Sequence, residues 1–156
     1  MQKVNFQKGN KDGKKTKDRL IAAGWTESRN IKLDYIMKKY NNIGISIPKN
    51  VSDFLERYGG LCFTDPTRDE DVKFLPDIAI GVNLDKEYFE RLLEEYDIYE
   101  IMYPVGVTCK DNLILVMTKE STFYCYTDGY LEKVGDSIEE MLDCIVGECR
   151  KPEVIE

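Results

Sequence analysis

VSDFLERYGGLCF, residues 51–63, is the stretch of sequence that decides the fold. Four apolar residues recur there at helical spacing: Val51, Phe54, Leu55 and Tyr58. This pattern predicts a helix over residues 49–58 with one buried face. The glycine pair that follows ends the helix, and Leu61-Cys62-Phe63 is typical of a short strand. A helix that gives way to a strand in this manner indicates a domain in which helices pack on a sheet.

Outward from this stretch, the hydrophobic pattern predicts helices first and strands afterwards. Further helices are expected over residues 16–23 and 33–41, and from Asp85, a good N-cap, to Tyr96. A last helix is expected after Asp136, which we predict as its N-cap, with Glu139 completing a capping box. Strands are expected at residues 61–63, 73–75, 102–108, 113–118, 122–126 and 130–134. The fold class is therefore α+β, with N-terminal helices packed on a mostly antiparallel sheet and a closing C-terminal helix.

The length of 156 residues predicts a single domain. Residues 1–15 are polar and rich in lysine, and we expect them to form a flexible basic tail. The folded domain is expected over residues 16–150, and residues 151–156 are expected to form a C-terminal tail.

Several kinds of chemistry lack the residues that they require. The chain contains no histidine, which removes the commonest general base and the usual partner of a nucleophilic serine or cysteine. The two glycine motifs that bind phosphates, G-x-x-x-x-G-K-[ST] and G-x-G-x-x-G, do not occur in the sequence. The five cysteines show no paired spacing typical of a zinc site or a disulfide framework. We expect no enzymatic activity, no cofactor and no metal, although a carboxylate-based enzyme stays open as a weak alternative.

The charge is unevenly distributed along the chain. The net charge is −7, yet residues 1–17 carry six lysines and one aspartate. Residues 69–100 hold eleven acids against three cations. An acidic body disfavours nucleic-acid binding by the folded domain, because binding phosphates requires a basic surface, and it suits a basic protein partner. No apolar run reaches the ~18 residues that a membrane span needs, so we expect a cytoplasmic protein with no membrane contact.

Two acidic groups are the candidate partner-binding residues. The first is the predicted loop Asp69, Glu70 and Asp71, and the second is one face of the predicted fourth helix, Glu87, Glu90 and Glu94. An ordinary solvated surface is the alternative for both groups, with Glu87 and Arg91 as a pair four residues apart. Tyrosine is enriched in protein-binding surfaces, which makes Tyr99, Tyr126 and Tyr130 further candidates. Trp25 is expected in the core.

A series of short motifs in fixed order supports a family resemblance. The motifs are Ala23-Gly24-Trp25, Phe54-Leu55, Gly59-Gly60-Leu61, Asp65-Pro66, Phe74 with Pro76 and Ala79, Tyr103-Pro104-Val105-Gly106, Leu113, Met117, Phe123-Tyr124 and Gly135-Asp136. On these residues the chain resembles the SUKH superfamily, and within it the third SUKH subfamily, over residues 18–146. One departure is the hairpin before Phe123, where family members often carry a glycine and this chain has residues 119–122, KEST.

The resemblance implies a non-catalytic role. Many bacterial SUKH proteins are similar to immunity proteins of polymorphic or contact-dependent toxin systems, which bind and neutralise a cognate toxin domain, often a nuclease or deaminase. Other members of the superfamily act as regulatory binding modules, which is the alternative function. The oligomeric state stays undetermined by the sequence.

Overall fold

The computed structural model describes residues 11–65, 70–81 and 84–156. Its helices are α1 (Lys11–Ala22), α2 (Asp34–Asn42), α3 (Lys49–Tyr58), α4 (Pro76–Ile80), α5 (Lys86–Arg91) and α6 (Ile138–Ile145), with one 3-10 helix, η1 (Glu94–Tyr96). Its strands are β1 (Cys62–Asp65), β2 (Glu70–Lys73), β3 (Tyr103–Thr108), β4 (Leu113–Met117), β5 (Phe123–Thr127), β6 (Tyr130–Gly135) and β7 (Glu153–Ile155).

The strands form one antiparallel sheet whose spatial order follows the chain from β1 to β7. Phe123 and Tyr126 lie three residues apart on β5, so their side chains point to opposite faces of the sheet. The ring of Phe123 contacts Phe54 of α3, whereas Tyr126 lies in a cleft with α5. Helices therefore cover the sheet from both sides, and the α+β fold class predicted from the sequence is confirmed.

Phe54 is the centre of an aromatic cluster between α3 and the sheet. Its ring centroid lies 5.4 Å from those of Tyr58, Phe74 and Phe123. Each such pair contributes roughly 0.5–1.5 kcal/mol beyond its buried area. Trp25 extends the cluster by stacking on Tyr58 at 6.1 Å, with only 2% of its surface exposed. The core position expected for Trp25 is confirmed.

At two positions of the motifs, the surrounding structure explains why the residue is glycine. Gly24 follows α1 with φ of +104°, and the amides of Gly24 and Trp25 donate to the carbonyls of Ile21 and Leu20 at 3.0 and 2.9 Å. Glycine tolerates this left-handed conformation, which satisfies the last carbonyls of the helix. At Gly135, a Cβ atom would lie 2.5 Å from the backbone nitrogen of Met141. This glycine therefore lets α6 pack directly against β6.

The ends of the chain differ from the expected tails. Helix α1 begins at Lys11, five residues before the predicted start, while residues 1–10 of the predicted basic tail lie outside the described residues. Strand β7 falls within residues 151–156 and pairs with β6, Leu131 facing Ile155. Short α4 was not predicted either. A helix of five residues and a strand of three are too short to show periodicity, and β7 depends on the neighbouring strand for its hydrogen bonds.

The cap of the last helix lies one residue later than predicted. Ser137, not Asp136, is the N-cap, and its hydroxyl accepts a hydrogen bond from the amide of Glu140 at 3.1 Å. The carboxylate of Glu140, rather than that of Glu139, accepts from the amide of Asp136 at 3.1 Å. Serine competes well with aspartate at this position, so spacing alone could not choose between them.

The hairpin before β5 is tight although it contains no glycine. Ser121 takes the positive φ of 67° that glycine usually supplies. The hydroxyl of Thr118 accepts from the amides of Glu120 and Thr122 at 3.3 and 3.2 Å, and Ser121 is held by Asn50 of α3 at 3.0 Å. Side-chain hydrogen bonds therefore stabilise the turn.

Candidate partner-binding site

The acidic helical surface comprises α5, η1 and the residues at their ends, positions 85–97. The carboxylate of Asp85 caps α5 by accepting from the amide of Tyr88 at 3.0 Å, as its position in the sequence predicted. Phe89 and Leu93 are fully buried, which fixes the orientation of the helix. Because helical residues three apart share a face, Glu87 and Glu90 lie together on α5. The prediction of one helix from Asp85 to Tyr96 was wrong, since α5 ends at Arg91 and Glu94 lies in η1. Glu94 still joins this surface through its contact with Arg91.

The glutamates of this surface pair with two cations of α5. Glu87 and Glu94 both contact the guanidinium of Arg91, at 3.3 and 3.1 Å. Glu90 contacts Lys86 at 3.4 Å. Exposed pairs of this kind contribute little to stability, because solvent and salt screen their charges. They can therefore exchange these cations for those of a partner at small cost.

A shallow cleft of about 350 Å³ lies between α5 and the sheet. Its lining residues are Asp85, Glu87, Tyr88, Arg91, Leu92 and Tyr126. The hydroxyl of Tyr126 donates to the carboxylate of Glu95 at 3.4 Å. Burial, together with the charge of Glu95, raises the pKa of Tyr126 to about 12. At neutral pH this tyrosine is a neutral hydrogen-bond donor that links β5 to η1, and not an acid or base.

Asp71, the third residue of the other acidic group, has a structural role. Its carboxylate accepts from the amide of Lys110 at 2.7 Å and lies 3.6 Å from the ammonium of Lys73. Its carbonyl accepts from the amide of Cys109 at 3.1 Å. These bonds hold the β3–β4 turn, where residues 109–111 all have positive φ. Such conformations are unfavourable for residues other than glycine, so the turn depends on Asp71.

The two other residues of that group are Asp69 and Glu70. Asp69 lies outside the described residues, and Glu70 belongs to β2 by its backbone, opposite Asp65. The hydrogen bond and the ion pair of Asp71 join it to Lys110 and Lys73, which lie outside the acidic helical surface. The predicted residues that the structure describes thus fall into separate places. Glu87, Glu90 and Glu94 lie together, whereas Asp71 lies on strand β2 rather than in the predicted loop, and holds the β3–β4 turn.

Asp71 also borders two clefts that share a wall. One of about 330 Å³ lies between α1, the end of α6 and strands β1 and β2. The second, of about 430 Å³, lies between the sheet and the segment after α6. Both are lined by Asp71, Val72, Ile145 and Glu148. Within residues 11–65, 70–81 and 84–156, no group of three or more acidic or cysteine side chains is arranged to hold a metal ion.

The three candidate tyrosines differ in exposure. Tyr126 is buried with 9% of its surface exposed, and Tyr130 is 37% exposed with its hydroxyl donating to Glu132 at 2.7 Å. Tyr99 is 71% exposed and lies just after the acidic helical surface. Ile101, two residues further on, is also exposed and was not predicted. The sequence did allow for the exposure of Ile101, because an isoleucine between charged and apolar residues at the start of a strand need not point inward.

The fold and this surface define a class of protein. It is a small α+β domain whose motif residues build the core and whose exposed side carries carboxylates, as suits a protein-binding module. The family model of the SUKH-3 immunity proteins matches residues 13–148, and the chain belongs to this family. A comparison with curated proteins and with solved structures finds no match.

Family membership carries consequences for function. It implies a toxin-neutralising immunity function with a toxin protein as partner, and members of this family are generally not catalysts. It also confirms the resemblance to the third SUKH subfamily. In the part of the chain that the structure describes, no helix combines the length and apolar character needed to cross a membrane.

Proposed function

We propose that this protein binds the toxin domain of one bacterial polymorphic or contact-dependent system, a nuclease or another toxin directed at nucleic acid, and blocks its substrate path. The observation that carries the proposal is the acidic helical surface, on which three glutamates project outward and share two cations. A toxin that binds nucleic acid needs a basic cleft to hold phosphates. An acidic surface of this kind fits such a cleft.

Electrostatic complementarity acts chiefly on the rate of association. Opposite charges raise association rates to about 10⁸–10⁹ M⁻¹s⁻¹ at low salt, compared with 10⁵–10⁶ for neutral surfaces. An immunity protein benefits from fast association, because free toxin damages the cell that makes it. Asp69 and Glu70 stay in the proposal as a second acidic group, whereas the carboxylate of Asp71 is already engaged by Lys110 and Lys73.

The first experiment is co-expression with the cognate toxin domain, which we predict to be encoded in a neighbouring gene. We expect growth to be restored by this chain and not by an empty vector. Continued killing in the presence of soluble protein would overturn the immunity assignment for that pair.

The second experiment tests the surface by charge reversal. We expect Glu87→Lys with Glu94→Lys to slow association with an inactive form of the toxin domain at least tenfold at low salt, and to flatten the salt dependence. The matched control is Asp18→Lys with Glu27→Lys, which makes the same change of charge at two exposed positions outside this surface. Equal association rates for the two double variants, both folded, would remove the acidic helical surface from the interface.

A further inference from the structure

Tyr99 and Ile101 form an exposed apolar pair next to the acidic helical surface. Tyr99 is 71% exposed and Ile101 is 38% exposed. Among the described residues, the other large exposed hydrophobic side chains are each more than ten positions from the next one along the chain. Single exposed apolar side chains are normal, whereas adjacent ones call for an explanation.

The segment that carries this pair is fixed at both ends. At its start, Asp97 takes the left-handed conformation with φ of 61°, and the amide of Ile98 donates to the carbonyl of Leu93 at 3.2 Å. At its end, the amide of Met102 donates to the carbonyl of Phe89 at 2.9 Å, and Met102 is fully buried. Ile98 packs against the core. The backbone therefore holds Tyr99 and Ile101 outward, and little ordering is needed when a partner binds.

The environment of Tyr99 differs from that of comparable tyrosines. Tyr35 is also exposed, but the ammonium of Lys39 lies 5.1 Å from its ring centroid. Tyr99 has a carboxylate instead, with its hydroxyl 3.4 Å from Asp97. No lysine or arginine occurs between Arg91 and Lys110, while four acids do: Glu94, Glu95, Asp97 and Glu100.

Glu100 lies between Tyr99 and Ile101 in the chain, and its charge acts on Tyr124 of β5. This tyrosine is half-buried, and burial raises its pKa, with the charge of Glu100 acting in the same direction. An aromatic and an aliphatic side chain surrounded by carboxylates have the composition of an interface centre with a polar rim.

We propose that Tyr99 and Ile101 are the apolar anchor of the interface, and that they enter an apolar recess on the toxin flanked by lysine or arginine side chains. This inference rests on the proposed function. The flanking carboxylates select a basic partner, and the anchor supplies the affinity that exposed charges alone do not give. The acidic helical surface then governs how fast the complex forms, and the anchor governs how long it lasts.

The test separates these two effects by kinetics. The probe is a catalytically inactive form of the toxin domain that this chain neutralises in the co-expression experiment, immobilised for surface plasmon resonance. We expect Tyr99→Ser and Ile101→Ser each to raise the dissociation rate, by roughly 30-fold or more for Tyr99, as for interface anchors in general. The association rate and its salt dependence should stay within about twofold of the wild type, because no charge changes. Tyr99→Phe should retain tight binding.

The matched control is Tyr35→Ser, which removes an exposed tyrosine outside the segment 97–101. Circular dichroism establishes that each variant is folded. Unchanged dissociation in folded Tyr99→Ser and Ile101→Ser, with the wild type binding tightly, would overturn the anchor and leave the proposed function standing. An equal effect of Tyr35→Ser would also overturn it. Absence of binding by the wild-type chain would overturn the proposed function and the anchor together.

Discussion

The aromatic cluster around Phe54 and the acidic segment 85–101 show opposite uses of large side chains. In the cluster, Phe54, Phe74 and Phe123 are completely buried, and each ring contacts another. In the acidic segment, Phe89 and Leu93 are buried and fix the backbone to the core, while Tyr99 and Ile101 face solvent. The difference teaches that the motif residues Phe54, Phe74 and Phe123 build the scaffold, whereas the acidic segment between motifs leaves large side chains exposed for the partner surface that we propose.

The largest effect is expected from breaking the cluster. Phe54→Ala removes a ring that packs on three others, and we expect the free energy of unfolding to fall by about 3–5 kcal/mol. Urea denaturation followed by tryptophan fluorescence measures this, because Trp25 stacks on Tyr58 beside the cluster. The counterpart in the acidic segment is Tyr99→Ala, for which a change within about 0.5 kcal/mol is expected. Similar losses in both variants would contradict the division between scaffold and partner surface.

An intermediate effect is expected at Asp71, an acidic residue with a structural role. Asp71→Ala leaves the amide of Lys110 without its acceptor in a turn of three left-handed residues. We expect a loss of about 1–3 kcal/mol, the usual range when a partly buried group loses its partner.

Asp71→Asn is the matched variant, because it keeps an oxygen that can accept from Lys110, and its loss should be smaller. Thermal unfolding gives the order of stability, and hydrogen exchange at residues 109–112 shows whether the turn opens. If Asp71→Ala unfolds like the wild type and instead weakens toxin binding, Asp71 belongs with the partner surface.

The smallest effect on stability is expected at Arg91. Arg91→Gln removes the cation shared by Glu87 and Glu94. Because all three side chains are exposed and hydrated, the unfolding midpoint should not change measurably. The surface becomes more negative, so association with a basic toxin domain should be faster at low salt, and this gain should vanish at high salt. Stopped-flow mixing at a low and a high salt concentration measures the association rate under each condition. A slower association would mean that Arg91 itself contacts the partner.

Much of the scaffold could be predicted because its signals are local. The helix over residues 49–58 was predicted with the bounds that α3 has, since it carries a proline at its start, a glycine pair after its end and an unbroken apolar stripe. The cap at Asp85 was equally local. The β-bulge between Pro104 and Gly106 falls within the motif Tyr103-Pro104-Val105-Gly106, where a proline and a glycine interrupt the regular strand.

The candidate site was harder to predict, because charge does not show what a carboxylate contacts. Asp71 and Glu87 look alike in the sequence, yet one holds a turn and the other shares Arg91 on an exposed helix. Tyr99 and Tyr126 both lie near strand ends, and only the packing of η1 against β5 distinguishes them, since it buries Tyr126 beside Glu95.

The sequence by itself determined the α+β class, the principal helices and strands, the core position of Trp25 and the acidic character of the segment 85–97. These properties follow from spacing, breakers and net charge, which act over a few residues or over the whole chain. Only the tertiary structure decided that β7 completes the sheet, that Asp71 supports a turn and that Tyr99 and Ile101 stand exposed beside carboxylates. The reason is physical: contacts between residues distant in the chain set burial and hydrogen bonding, and no local pattern records them.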